Sequence, residues 1–289
     1  MLALLVLPAL ALAQPASFTI DTDALIATIP PRFISFGWEM DCMINLLPSM
    51  ADPRFAKVAS HLAPATVRVG GITGDWVRYT EIPGHPDSGV GSRPAQEGRL
   101  ASRGVGSRPA QEGSLSSRGV GYWPTQEGNL SMPMFQTLTA FLSAANFSLL
   151  FMLNELHGRD CNTTKPGTSS PDWCTGAWDS SNARAFLQYL HDTAQVGGSA
   201  PTYAFELGNE LVSHLPAETV TADIIECAGI IQDIWRDVPL SSRPGLVAPS
   251  TDDCYDPQQL EIMANITGTP GVAAYSFHGY PGGGGPGFK

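Results

Sequence analysis

YAFELGNE, residues 203–210, reads as an apolar strand over 203–207 that ends by releasing a glycine, an amide and a carboxylate: Gly208, Asn209 and Glu210. Outward from it, short apolar runs alternate with amphipathic stretches, the pattern of repeated strand–helix units around a parallel sheet. On the amino-terminal side stand a first strand, FISFGW (33–38), and a helix opened by Asp52-Pro53 with Phe55, Val58 and Leu62 on one face. A second strand over 65–69 runs into Gly70-Gly71, and Met134, Leu138, Phe141 and Ala145 mark a helical face. FSLLFML (147–153) reads as a third strand buried on both faces. A helix capped by Ser180 or Ser181, with Ala183, Phe186 and Leu190 inward, leads into the quoted strand, the fourth. Val220, Ile224, Cys227, Ile231 and Trp235 then form the strongest helical stripe. A fifth strand around 245–248, a short helix around Leu260 and Met263, and a sixth strand over 272–277 follow. Six such units imply an α/β fold around a parallel sheet over residues 14–280, followed by a glycine-rich tail at 281–289.

The 289 residues are 43% apolar and 15% charged, enough to bury a sizeable core. A net charge of −11 gives no general attraction to nucleic acid or to an anionic membrane, and weighs against heavily sulfated polysaccharide as substrate. MLALLVLPALALA (1–13) reads as a signal peptide cleaved after Ala11-Leu12-Ala13, so the protein is expected to be secreted, extracellular or lysosomal. That run is too short to span a bilayer and no later segment is long enough, so membrane or matrix association is expected to be peripheral. Four N-x-S/T sequons, at Asn129, Asn146, Asn162 and Asn265, agree with a secretory route.

Cys42, Cys161, Cys174, Cys227 and Cys254 include no C-x-x-C pair and no zinc-type spacing with histidine, so no metal site is expected. Cys161 and Cys174 bracket a polar loop and are the candidate disulfide, which at that loop size stabilises by roughly 3 kcal/mol in the chain-entropy model. The odd count leaves at least one thiol outside such pairs. Residues 89–130 repeat with a period of fifteen, GVGSRPAQEGRLASR and two close copies. No apolar position recurs within a unit at helix or strand spacing, so the copies read as a weakly ordered insertion, not a solenoid.

In a parallel barrel the chemistry sits at the carboxyl ends of strands, where Glu210 stands. Hydrolysis of a glycoside needs one carboxyl to protonate the leaving oxygen and a second to attack the anomeric carbon or activate water. Glu210 suits the first task; its alternative is an ordinary exposed glutamate at a strand end. No G-x-S-x-G or G-x-x-x-x-G-K motif is present to suggest a serine nucleophile or a phosphate loop.

Several ordered motifs then share one likeness. Gly208-Asn209-Glu210 behind Phe205-Glu206-Leu207 resembles the strand-four motif of the heparanase-like glycoside hydrolases of family 79. Asp52-Pro53-Arg54-Phe55, Val67-Arg68-Val69-Gly70-Gly71 with Asp75, Ser180-Ser181-Asn182-Ala183, and Ser276-Phe277-His278-Gly279-Tyr280 resemble further motifs of that family in the same order. The resemblance implies a (β/α)8 TIM barrel, incomplete here with its last two strands absent, and a retaining enzyme acting on uronic-acid-containing glycans or proteoglycans without a cofactor. It implies Glu210 as acid/base and Asn209 as the donor to the 2-hydroxyl of the cleaved sugar. Arg68 would support the catalytic carboxylates, or else pair a buried acid. Glu39, with Asp41 as its rival, would contact the sugar. Gly70, Gly71 and Asp75 would shape the substrate face from the second-strand loop, or serve only its turn. Asn154 matches an asparagine ending strand three, whereas its neighbour Glu155 departs from the motif and is expected to be solvated. His278 and Tyr280 would lie beside the second carboxylate.

That second carboxylate, the nucleophile, is expected at the end of strand seven, about 5–5.5 Å from the acid/base. Neither that strand nor the family's following β-rich domain has a counterpart here, and no carboxylate side chain follows Glu261. Two other readings stay open: another barrel glycosidase, such as an arabinofuranosidase or glucanase, and a non-catalytic carbohydrate-binding fragment, which the missing nucleophile favours.

Overall fold

The structure is a computed structural model that describes residues 33, 35–85, 128–162, 173–193, 203–251 and 257–279. The expected signal peptide, most of the repeats, Cys254, Tyr280 and the glycine-rich tail lie outside the described residues.

Six strands, β1 (Ser35–Glu39), β2 (Ala65–Gly70), β5 (Phe147–Leu153), β8 (Tyr203–Leu207), β9 (Gly245–Thr251) and β10 (Val272–Phe277), form one sheet in that spatial order. Every neighbouring pair is parallel. Between them run α1 (Met40–Met50), α2 (Pro53–Ala59), α3 (Met132–Ala144), α4 (Ser181–Asp192), α5 (Ala217–Ile234) and α6 (Pro257–Ile266). Two small ribbons complete the described part: β3 (Arg78–Thr80) with β4 (Asn129–Ser131), and β6 (Asp160–Asn162) with β7 (Trp173–Thr175). The result is a mixed α/β fold with parallel strands joined by crossovers, as the alternating pattern implied.

β5 is buried along almost its whole length because it lies between two neighbours and under helices on its outer face. Behind it, Phe135 of α3 and Phe186 of α4 meet Phe151 and Tyr79 in an aromatic cluster, with ring centroids 4.3 to 6.2 Å apart. Register explains the inner face: side chains alternate along a strand, so with Phe151 and Phe205 turned toward the helices, their successors Met152 and Glu206 turn the other way, toward Arg68. The α5 stripe of Val220, Ile224, Cys227, Ile231 and Trp235 is buried throughout. At the two ends of the sheet, β1 and β10 are largely exposed, Tyr275 and Phe277 among their residues.

Several local expectations are corrected. The first strand begins at Ser35 and extends to Glu39, the second reaches Gly70, and the fifth continues to Thr251. α1, which follows β1 directly, was not anticipated; its apolar positions Met40, Met43, Leu47 and Met50 share one face, and Pro48 is accommodated inside it. α2 gives way to a 3-10 turn at Ser60, which rotates Leu62 off the helical stripe, so Leu62 and Val58 are exposed and only Phe55 packs, stacking on Phe141. Ser180 stands at the N-cap of α4 as expected, but its hydroxyl donates to Glu226, and the side chain that accepts from Ser181 N, at 3.1 Å, is Asp179. Cys161 and Cys174 are bonded as expected, as a directly opposed pair of the β6–β7 ribbon. Among the described residues Cys42 and Cys227 are bonded to no other cysteine. Among the described residues no helix is long and apolar enough to cross a membrane.

Candidate active site

The carboxyl ends of the parallel strands all open on one edge of the sheet, and the polar residues singled out from the sequence gather there. At the end of β8 the chain turns through Gly208, φ +65°, and Glu210, φ +57°, ψ +33°. A glutamate in the left-handed region is strained, and here it is held by its own N–H donating to the Ser250 carbonyl at 2.8 Å. His278, just beyond β10, reaches back so that its Nδ1 stands 2.5 Å from Glu210 Oε1. Its Nε2 is 3.3 Å from Ser250 Oγ, and its backbone N–H donates to Thr251 O at 2.6 Å.

Arg68 organises the floor. Its Nε donates to Glu206 Oε2 at 2.6 Å, and its Nη2 to Asn209 Oδ1 at 2.9 Å and Ser250 Oγ at 3.3 Å. The second reading of this arginine is met, since it pairs a buried acid, Glu206, and through the same fork it holds Asn209. Glu206 is 1% exposed and also accepts from Ser276 Oγ at 3.3 Å, which in turn accepts from Ser250 N at 3.1 Å. Glu206 and Ser250 were not anticipated as members of the site. The sequence signal for Glu206 is a charge in mid-strand between apolar neighbours, which requires a buried partner.

Three residues expected at the substrate face turn out to be buried supports. Asp75 is 1% exposed, and its Oδ1 accepts from Asn209 N at 3.0 Å. Burial raises its carboxyl well above the ordinary aspartate range, while the Asn209 bond and Arg68 act in the opposite direction. Asn154 is fully buried; its amide donates to Val77 O at 2.6 Å and to Asn182 Oδ1 at 3.2 Å, so it is a strut between the loops after β2 and β5. Gly71 is required by space and by conformation: at φ +82° any Cβ would stand 2.1 Å from Glu39 Oε2.

Glu39 lies exposed at the end of β1, with Thr73 Oγ1 3.4 Å from its Oε2. Its carboxyl is raised above the usual range, first by partial enclosure and then by the charge of Asp41, with Arg68 opposing. Asp41 itself is exposed and accepts from Cys42 N at 2.6 Å. Glu155 overturns the expectation that it is solvated. It is 1% exposed, packed against Gly208, and raised well above the ordinary glutamate range, chiefly by burial and then by Asp223.

Among the described residues no group of three or more His, Cys, Asp or Glu side chains is arranged to hold a metal ion. What the arrangement offers is a carboxyl group, Glu210, with an imidazole on one side and an amide held by arginine on the other. In a neutral ring either nitrogen carries the proton, so His278 can donate to an ionised Glu210 or accept from a protonated one. The Ser250 hydroxyl can turn to suit either tautomer. Such a site suits proton transfer to and from a bound ligand.

Comparison with known proteins gives one family. The model described as Glycosyl hydrolase family 79, N-terminal domain, matches residues 108–288. Among solved structures, the GH39 enzyme from Xanthomonas axonopodis pv. citri is similar at 13% identity and a TM-score of 0.41. The match covers 87% of this chain, and the chain spans 41% of that enzyme's length. No curated protein matches the chain.

Proposed function

Since the chain belongs to glycosyl hydrolase family 79, we propose that it carries the acid/base half of a retaining glycosidase that cleaves uronic-acid-containing glycans. The observation that carries this reading is the Glu210 carboxyl at the end of β8, bonded to His278 and adjoining an Asn209 whose amide is fixed by Arg68 and whose N–H is fixed by Asp75. Glu210 protonates the glycosidic oxygen as the bond to the anomeric carbon breaks, and later takes a proton from the water that releases the sugar. Asn209, which offers its amide hydrogens while its oxygen accepts from Arg68, donates to the 2-hydroxyl. Glu39 contacts the sugar from the end of β1, with Gly71 leaving room for its carboxylate. The nucleophile is a carboxylate on a seventh strand.

In this reading the six parallel strands are part of a (β/α)8 barrel, and the exposed aromatic residues of β10 are surface that a further strand would cover. Trp173, half-exposed beside a pocket it shares with Val212, His214 and Pro257, supplies an aromatic face for a sugar ring close to the Glu210 turn. The Cys161–Cys174 bond supports passage through an oxidising, secretory compartment.

The test is a panel of aryl glycosides assayed with the full-length protein. Turnover of aryl glucuronides above neutral aryl glycosides supports the reading. Turnover of neutral sugars alone removes the uronic-acid assignment and leaves a barrel glycosidase. No turnover of any substrate, with glycan binding retained, replaces the enzyme by a carbohydrate-binding protein.

A further inference from the structure

A second acidic cluster lies behind the Glu210 turn, outside the contacts described so far. Glu155 sits in the turn after β5 with its carboxyl where a Cβ at Gly208 would have to be: Oε2 is 2.1 Å from that point. Both turns hang from one acceptor, since Glu155 N donates to Leu153 O at 3.1 Å and Gly208 N to the same oxygen at 3.2 Å. Next to them, Leu156 N donates to Asp75 O at 3.3 Å while Asp75 Oδ1 accepts from Asn209 N. The loops after β2, β5 and β8 are thereby joined at Glu155 and Asp75.

The charges around Glu155 decide its protonation. Facing it are Asp223 and Cys227 of α5, Asp75 of the turn after β2, and Arg159 of its own loop. Arg159, whose side chain is fully buried, is bonded to Asp223 Oδ2, to the Gly176 carbonyl, and through Nε to the Glu155 carbonyl at 3.2 Å. One guanidinium thus meets one carboxylate, and a second anion at Glu155 would be uncompensated. Asp223 lies near enough to act on the Glu155 carboxyl, and two buried carboxyl groups that close hold one negative charge more readily than two. Among the described residues no donor reaches the buried Oε1 of Glu155, which a neutral acid tolerates far better than an anion.

We propose that Glu155 is a positioning residue: its buried carboxyl, set beside Asp223, props Gly208 and so sets the turn that presents Asn209 and Glu210. This rests on the assignment of Glu210 as acid/base. It adds a pH limit to that site, because ionising Glu155 places two anions against one arginine.

The experiment compares the full-length protein with its Glu155→Gln and Glu155→Ala variants. Glutamine keeps the bulk under Gly208, so kcat on an aryl glucuronide stays within about 3-fold, whereas alanine lowers it roughly 100-fold with KM nearly unchanged. The unaltered protein loses kcat on the alkaline side as Glu155 ionises; the glutamine variant holds its rate to higher pH. Equal kcat and equal pH profiles in all three forms overturn the proposal, as does a glutamine variant as slow as the alanine one. If the alanine variant does not fold, Glu155→Asp replaces it; its shorter carboxyl no longer reaches Gly208, so a similar loss of kcat is expected, and unchanged kcat overturns the proposal. If the unaltered protein cleaves no aryl glycoside, the glycosidase reading fails by itself, and carboxyl carbon NMR decides the positioning role. A Glu155 carboxyl that stays protonated through neutral pH, with a Glu210 signal unmoved by glutamine and shifted by the disruptive variant, supports it; an ionised Glu155 at neutral pH overturns it.

Discussion

Nδ1 of His278 stands 2.5 Å from Oε1 of Glu210, so the loop beyond β10 reaches across β9 to hold the carboxyl at the end of β8. Three separate strand ends fix one functional group, since Ser250 of the intervening β9 bonds both the Glu210 backbone and the His278 ring. Positioning of this kind comes from the sheet and not from the local chain, which places Glu210 in a strained conformation.

Replacing the carboxyl tests the proton-donor role. Glu210→Gln in the full-length protein should lower kcat/KM by roughly 100- to 10,000-fold on aryl glucuronides with poor leaving groups. Substrates whose leaving group departs without a proton should be affected much less. A loss independent of leaving group, read from a series of substituted phenyl glucuronides, would show that Glu210 acts otherwise.

Much of this arrangement was legible in the sequence, and the part that was not has a common cause. β5, β8 and β10 were located to the residue because their runs are continuous and bounded by turn residues or a helix. The place of Glu210 followed from strand ends in a parallel sheet, while Asn209 and Arg68, which the structure bonds to each other, were named through the family resemblance. α1 was hidden by Pro48, which argues against a helix even though the apolar spacing was present. The burial of Glu155 was unreadable, because an acid goes inside only when tertiary structure brings its partners, here Asp223 from α5 and Arg159, to it. For Asp75 and Asn154 the motif says nothing of burial; only the fold shows Asp75 Oδ1 accepting from Asn209 N and the Asn154 amide donating to Val77 O.

The Arg68–Glu206 pair has a stability consequence. Arg68→Met leaves Glu206 buried without its cation and should destabilise the protein by about 3–5 kcal/mol at neutral pH in urea unfolding. The double variant Arg68→Met, Glu206→Leu should recover most of that loss, since it removes the orphaned charge. Failure of the second change to recover stability would mean that the network, through Asn209 and Ser250, contributes more than the pair.

The hairpin bearing Trp173 depends on its crosslink. Removing it by Cys161→Ala, Cys174→Ala should cost roughly 3 kcal/mol in the chain-entropy model, with β6–β7 losing amide protection ahead of the main sheet. Hydrogen exchange checks the order. Uniform loss across all six strands would show that the hairpin is no local unit.

Gly71→Ala should disturb the rim at Glu39. The new methyl has no room beside the Glu39 carboxylate, and φ +82° adds roughly 1–2 kcal/mol of backbone strain for an L-residue. The expected result is a raised KM for the proposed substrate, greater than the change in kcat, because Glu39 contacts the sugar without carrying the chemistry. An unchanged KM would remove Glu39 from the binding site.

The buried acids set the pH dependence of stability. Glu155 and Asp75 have carboxyls raised well above 4.5 and 3.8 in the folded protein, so each binds its proton more tightly when folded than when unfolded. Stability from these groups is therefore fully present below those unfolded values and is lost as pH rises through the folded ones, at up to about 1.4 kcal/mol per pH unit per group. The exposed Asp52, Asp179 and Asp233 are shifted the other way by their hydrogen bonds, but exposed groups of this kind are screened by water and contribute little. Measuring each variant against the unaltered protein cancels them. Glu155→Gln, which cannot ionise, should gain stability relative to the unaltered protein as pH increases from 4.5 to 8, and Asp75→Asn should do the same. A difference that stays flat with pH, or falls, would mean that the carboxyl in question is already ionised in the folded protein, and that Asp223, Arg159 and Asn209 accommodate a charge the buried geometry disfavours.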